Sequence, residues 1–342
     1  PVDTKLVAKM HKAITVIQLK LEGQLIERHP EWGMAKRDIF RLVDFDRGTV
    51  TIDGREYELL DSNFPTVSHD DPLALTDAEN ELMSVLENSF MHSERLNAHI
   101  RFLYSKGSMY KAMNGNLLFH GCIPLDEEGR LQSVTIAGAD YSGKALLDKL
   151  DEIANRAYFI QPGAEKDYAA DYMWYLWSGA RSPLYGKDKM AFFERYFLAD
   201  RELQKENYNA YYHYSEQAEV CGRILEMFGL DPEKGHIING HVPVKIKNGE
   251  KPVKAGGRLF VIDGGISKAY QKATGIAGYT LIYDSHSLNL AEHRPFIAGE
   301  SEHTPEIHLV ERLDRRANIS DTDKGADCLL YTSPSPRDAP ES

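Results

Sequence analysis

Apolar residues at Leu6, Met10, Ile14, Ile17, Leu21 and Leu25 recur in steps of three and four, a helical face that Pro30 closes. The period then changes. Thr49–Ile52 and Glu56–Leu59 alternate around Asp53-Gly54, which supplies the positive φ of a tight hairpin. Thr76-Asp-Ala-Glu79 has the spacing of a capping box and predicts one long helical stretch to about Ser105. Ser108–Met113 and Asn116–His120 flank Asn114-Gly115, a second hairpin whose later arm, Leu117-Leu118-Phe119, reads as a buried strand. Helices are predicted over 142–157, 168–177, 187–198 and 213–228, the last stopped by Gly229. Strands are predicted over 235–239, 258–262, 278–284 and 306–311. Short strands and helices in mixed order point to an α/β or α+β sandwich.

Composition narrows the function. The 342 residues carry 40 basic and 52 acidic side chains, a formal net charge of -12. Such a balance speaks against nucleic-acid binding, which relies on Lys and Arg neutralising phosphates. An anionic ligand would need local positive charge from a metal or a few cations. No apolar run approaches the ~18 residues of a membrane span. Three cysteines, Cys122, Cys221 and Cys328, lack paired spacing and suit a reduced, cytoplasmic setting.

Two segments carry candidate chemistry. Leu117-Leu-Phe-His-Gly121 is an apolar strand ending in His-Gly, and His236-Ile-Ile-Asn-Gly-His-Val-Pro243 is another ending in Gly-His. Strand-end histidines from distant segments can converge on the edge of a sheet where ligands bind, and neutral imidazole suits borderline first-row metals. Taken singly, a histidine in such a position is more often a hydrogen-bonded structural residue than a ligand.

The wording of the chain goes further. Gly107-Ser-Met-Tyr110, Asn114–Pro124, Trp174-Tyr-Leu-Trp177, Phe193-Glu-Arg-Tyr-Phe197, His236–Val244, Asp263–Tyr270 and Gly275–Leu281 together resemble the class 3 fructose-1,6-bisphosphatases. Met10-His-Lys-Ala13 and Asn63-Phe-Pro65 extend the resemblance over roughly residues 1–326. It implies a calcineurin-like metallophosphoesterase β-sandwich flanked by helices, with two metal ions, typically manganese (Mn2+), and a small sugar bisphosphate as substrate. It also implies gluconeogenic hydrolysis of fructose 1,6-bisphosphate to fructose 6-phosphate and phosphate. His120 and His241 would ligate one metal. Arg181, in Arg181-Ser-Pro-Leu-Tyr-Gly186, would grip phosphate through its guanidinium fork. Lys245 and Lys254 are the preferred partners of a second phosphate, and Asp263 of Asp263-Gly264-Gly265 would contact the ligand or order a turn.

The chain also departs from the family pattern. Asp-x-His, Gly-Asp-x-x-Asp-Arg and Gly-Asn-His, which complete such a site and supply its general-acid histidine, are not found. Asp44-Phe-Asp-Arg-Gly48 and Asp284-Ser-His286 imitate two of them and read as turns. The chain is therefore expected to be a C-terminal part carrying half a site and inactive alone. Residues 1–105 would form a helical and hairpin insertion or cap, 106–312 the phosphoesterase part and 313–327 a linker. Residues 328–342 resemble a translated sequencing adapter and are expected to be disordered. Other readings are a related phosphoesterase acting on another phosphomonoester, a phosphoprotein or a dinucleotide, and a non-catalytic domain. Homo-oligomerisation is compatible with the sequence.

Overall fold

Turn chemistry sets the frame. Asp53 and Gly54 have φ of 49° and 77°, and Asn114 and Gly115 have φ of 51° and 76°. Both pairs adopt the doubly positive turn that matches strand twist, and both hairpins form where the dipeptides place them. The computed structural model describes residues 3–265, 267–275, 278–293, 304–313 and 317–332. Helices are α1 (Thr4–Arg28), α2 (Asp77–Met91), α3 (Glu94–Lys106), α4 (Gly143–Phe159), α5 (Ala164–Ser178), α6 (Phe192–Phe197), α7 (Tyr211–Tyr214), α8 (Ala218–Met227), α9 (Lys268–Thr274) and α10 (Asp323–Thr332). Strands are β1 (Val43–Asp44), β2 (Thr49–Ile52), β3 (Arg55–Glu58), β4 (Tyr110–Met113), β5 (Asn116–Phe119), β6 (Val134–Ile136), β7 (Ala139–Tyr141), β8 (His236–Asn239), β9 (Val253–Lys254), β10 (Leu259–Val261), β11 (Gly278–Tyr283), β12 (Ser287–His293) and β13 (Glu306–Arg312).

The chain divides into two compact units. The first comprises residues 1–108, 133–141 and 149–208. Its core gathers Val16 and Leu19 of α1, Phe40, Val50 of β2, Phe64, Leu73 and Phe193 and Phe197 of α6. Of the apolar row on α1, Ile17 is buried, whereas Leu6, Met10 and Ile14 are exposed. The buried stripe includes Val16, Leu19, Gly23 and Ile26 and takes in Lys20 and Glu22. These charges are tolerated because each is paired. Lys20 Nζ lies 2.7 Å from Glu79 Oε2 and donates to the Thr66 carbonyl, and Glu22 meets Arg37. Glu79 is the capping-box carboxylate of α2. Burial would raise its pKa, but the Lys20 and Thr76 bonds overcome this and hold it below the usual range. The long helix expected after Thr76 is two, because Ser93 caps a new one, accepting from Leu96 N.

The second unit comprises residues 109–132, 142–148 and 209–342. Its main sheet has the order β4-β5-β8-β10-β9, with β5, β8 and β10 parallel and the two outer strands antiparallel to their neighbours. Ile238 and Phe260 of this sheet pack against Leu288, Leu281 and Val310 of the antiparallel sheet β11-β12-β13. The fold is thus mixed α and β with sheet packed on sheet, as the sequence indicates. β12 has no counterpart in the sequence reading, although the turn before it does: Asp284 accepts from His286 N and Ser287 N. Asp44 likewise caps a turn, accepting from Asp46 N and Arg47 N. Within the segments read as linker and tail, residues 319–321 form a 3-10 turn and Asp323–Thr332 a helix; residues 333–342 lie outside the described residues. Among the described residues no helix is long and apolar enough to cross a membrane.

Candidate metal centre

Parallel pairing puts strand carboxyl ends on one edge of a sheet. Leu117 pairs with Ile237 and Leu118 with Ile238, so β5 and β8 end side by side. The bond from Gly240 N to the His120 carbonyl, 2.9 Å, continues the ladder past both strands. As a result His241 Nδ1 and His120 Nε2 stand 3.2 Å apart across 121 residues of sequence, with the rings edge-on at a 76° angle. His120 is exposed and His241 half-buried, so the pair opens to solvent.

The backbone at His241 is unusual. Its φ is 66°, and Val242 N donates to the Gly240 carbonyl across it at 2.8 Å. A bond from i to i+2 around a positive-φ residue is the rare, strained form of the γ-turn, which costs on the order of 1–3 kcal/mol. Strain of this kind persists only where surrounding bonds enforce it. Here Asn239, one residue before the turn, is buried and donates to the Gly121 carbonyl at 3.3 Å and to Tyr211 Oη at 3.0 Å. One amide therefore ties the turn after β8 to the turn after β5. Its Oδ1 is buried with no partner among the described residues. Tyr211 is fully buried, and burial, the main cause, pushes its hydroxyl well above its ordinary pKa, so it remains a neutral partner. The sequence offered one signal for Asn239, a polar residue closing an apolar strand, and none for Tyr211.

Asp263 follows β10 on the same edge. A Cβ built at Gly240 would lie 3.6 Å from Asp263 Cβ and 3.9 Å from His120 Nδ1, which places all three together. Asp263 also orders its turn: its carboxylate accepts from Gly265 N and its carbonyl from Val244 N, both at 2.8 Å. Lys245 is exposed one residue beyond Val244, with its backbone N–H held by Glu250. Lys254 is different. It pairs with Leu259 on antiparallel β9, four residues before Asp263 and about 13 Å down the strand at ~3.3 Å per residue. Its ammonium is bound to Glu216 at 2.7 Å. The structure thus removes Lys254 from the histidine edge. Arg181 belongs to the first unit, where it is exposed and its Nη1 donates to the Ser133 carbonyl at 3.3 Å.

The pair fits a divalent ion. Two ligand atoms ~2.1 Å from one ion, at tetrahedral to octahedral angles, stand roughly 3.0–3.4 Å apart, and the two imidazole nitrogens are 3.2 Å apart. They fill two coordination positions. Among the described residues no group of three or more His, Cys, Asp or Glu side chains is placed to hold a metal. Nearby thiols are not competing ligands: Cys122 and Cys221 are buried, which pushes Cys122 far above its ordinary pKa and Cys221 up to about 11.

An open strand-edge pair of imidazoles on a mixed sheet is the kind of site found in metal-dependent hydrolases. Comparison with known proteins gives the family. Residues 1–330 match the model of the Firmicute fructose-1,6-bisphosphatases, and the chain belongs to that family. It is 49% identical over 332 residues to the class 3 fructose-1,6-bisphosphatase of Clostridium acetobutylicum, and 50% identical over 332 residues to that of Bacteroides fragilis. Both alignments cover 95% of this chain and 50% of the relative, so the chain spans about half the length of the curated relatives it matches. No solved structure matches it.

Proposed function

We propose that this chain forms part of a cytoplasmic, manganese-dependent phosphatase that hydrolyses fructose 1,6-bisphosphate to fructose 6-phosphate and phosphate, a gluconeogenic step. The observation that carries the proposal is the 3.2 Å approach of His120 Nε2 to His241 Nδ1 at an open sheet edge. Family membership supports the choice of substrate. His120 and His241 would hold the cation, which when bound neutralises phosphate charge and acidifies a water molecule. The strained turn fixes the His241 ring before any ligand arrives, so little reorganisation is needed on binding. Lys245 at the same edge offers a point charge to the second phosphate, and Asp263 holds the turn beside it.

The test is phosphate release with manganese from fructose 1,6-bisphosphate, a phosphomonoester panel, a phosphoprotein and a dinucleotide. Release confined to the sugar bisphosphate, and lost in His241→Ala, supports the proposal. Undiminished release in that variant removes His241 from the site, and preference for another substrate moves the protein to a different activity on the same edge.

A further inference from the structure

Helices α2 and α3 leave the first unit almost uncovered. No residue of α3 is buried, and the only buried one of α2 is Glu79, held by Lys20. Leu82, Val85, Phe90, Met91, Phe102 and Leu103 are all exposed, Phe102 to 68%. A groove of about 560 Å³ runs along α3 beside Ala98, Arg101 and Phe102. Helices of 15 and 13 residues are marginal in water without an apolar partner. Six large apolar side chains left exposed on two consecutive helices point to an interaction surface.

We propose that this surface binds a second copy of the chain, with α2 of one protomer against α3 of the other, twice, about a two-fold axis. Charge supports this occupant. On its exposed positions α2 carries Asp77, Glu81 and Glu87 and no Lys or Arg, whereas α3 carries Arg95, Arg101 and Lys106 against Glu94 alone. A surface with an acidic and a basic helix joined by two residues is complementary to itself under two-fold symmetry, as an isologous interface requires. The inference is independent of the phosphatase proposal, because it concerns only the first unit.

Sedimentation equilibrium across a wide concentration range tests it. The expected mass is twice that of the chain, falling to the single-chain mass in Phe102→Glu and Val85→Glu. Glu81→Arg and Arg101→Glu should each weaken association at least tenfold, and their combination should restore it, a result that a merely misfolded variant cannot give. Circular dichroism verifies that the helices remain. A single-chain mass at every concentration with helices intact overturns the proposal. So does a dimer that survives both Glu substitutions, a charge-swapped pair that fails to recover, or recovery of the chain only with a different protein.

Discussion

The two ends of β8 carry histidines with opposite fates. At the start, His236 is buried, with Nδ1 3.0 Å from Asn116 Oδ1 and Nε2 2.8 Å from Glu311 Oε2. Asn116 Nδ2 faces the Met113 and Asn114 carbonyls, which fixes its oxygen toward the imidazole. That ring is a structural clamp: each nitrogen faces an oxygen acceptor, and the neutral imidazole donates its one N–H to one of them. Just past the other end, His241 sits on a strained turn, half-open to solvent, with Nδ1 directed at a second imidazole. The same residue type serves cohesion at one end of the strand and, in the proposed site, ligand capture just beyond the other. What differs is burial and the presence of oxygen acceptors around the ring.

The sharpest way to break this contrast is to exchange readouts. His120→Ala and His241→Ala should each weaken manganese binding at least ~100-fold, since even outer-shell partners of metal ligands are worth 10–100-fold. Thermal unfolding should barely move, and titration calorimetry beside scanning calorimetry checks both. His236→Ala should do the reverse. It leaves Asn116 and Glu311 without their partner and should cost about 1–3 kcal/mol of stability, measured by urea denaturation, with the metal pair intact. Smaller still, His241→Gly should raise stability by on the order of 0.5–1 kcal/mol, because relief of positive-φ strain exceeds the entropy cost of glycine. The same variant should bind no metal. Failure to gain stability would mean that the turn is not strained.

The smallest effect expected is a pH dependence. Burial lowers the His236 pKa below its usual 6.5, against the opposing pull of Glu311. The unfolded chain then takes up a proton that the folded chain refuses. Stability from this residue is present in full above about pH 6.5 and declines as pH falls through that value toward the folded pKa. In His236→Gln the decline should flatten, as chemical denaturation at a series of pH values would reveal. An unchanged slope would assign the dependence to another group.

Much of the frame around this contrast was legible in the sequence, though the role of His236 was not. Both hairpins, the capping box at Thr76 and the convergence of His120 with His241 follow from turn chemistry, hydrogen-bonding patterns or motif wording. What failed did so for identifiable reasons. The interior side of α1 includes Lys20 and Glu22 because ion pairs with Glu79 and Arg37 admit them, a pairing with distant residues that no local pattern displays. Lys254 was placed at the histidine edge because it follows His241 in the chain; the antiparallel turn of β9, which sends it back down the sheet, depends on partners. Asn239 and Tyr211 were missed because their role is to hold other residues, and it is visible only once the strands are adjacent.

The parallel pairing of β5 with β8 has a consequence for biosynthesis. Parallel neighbours cannot be joined by a tight turn, and here the pairing must wait until the segment between them has been made. Non-local contacts of this kind form late and slowly. A nascent chain leaving the ribosome thus carries one imidazole for a long interval before its mate exists. Translation products that stop short of β8 lack the paired imidazoles of the proposed site.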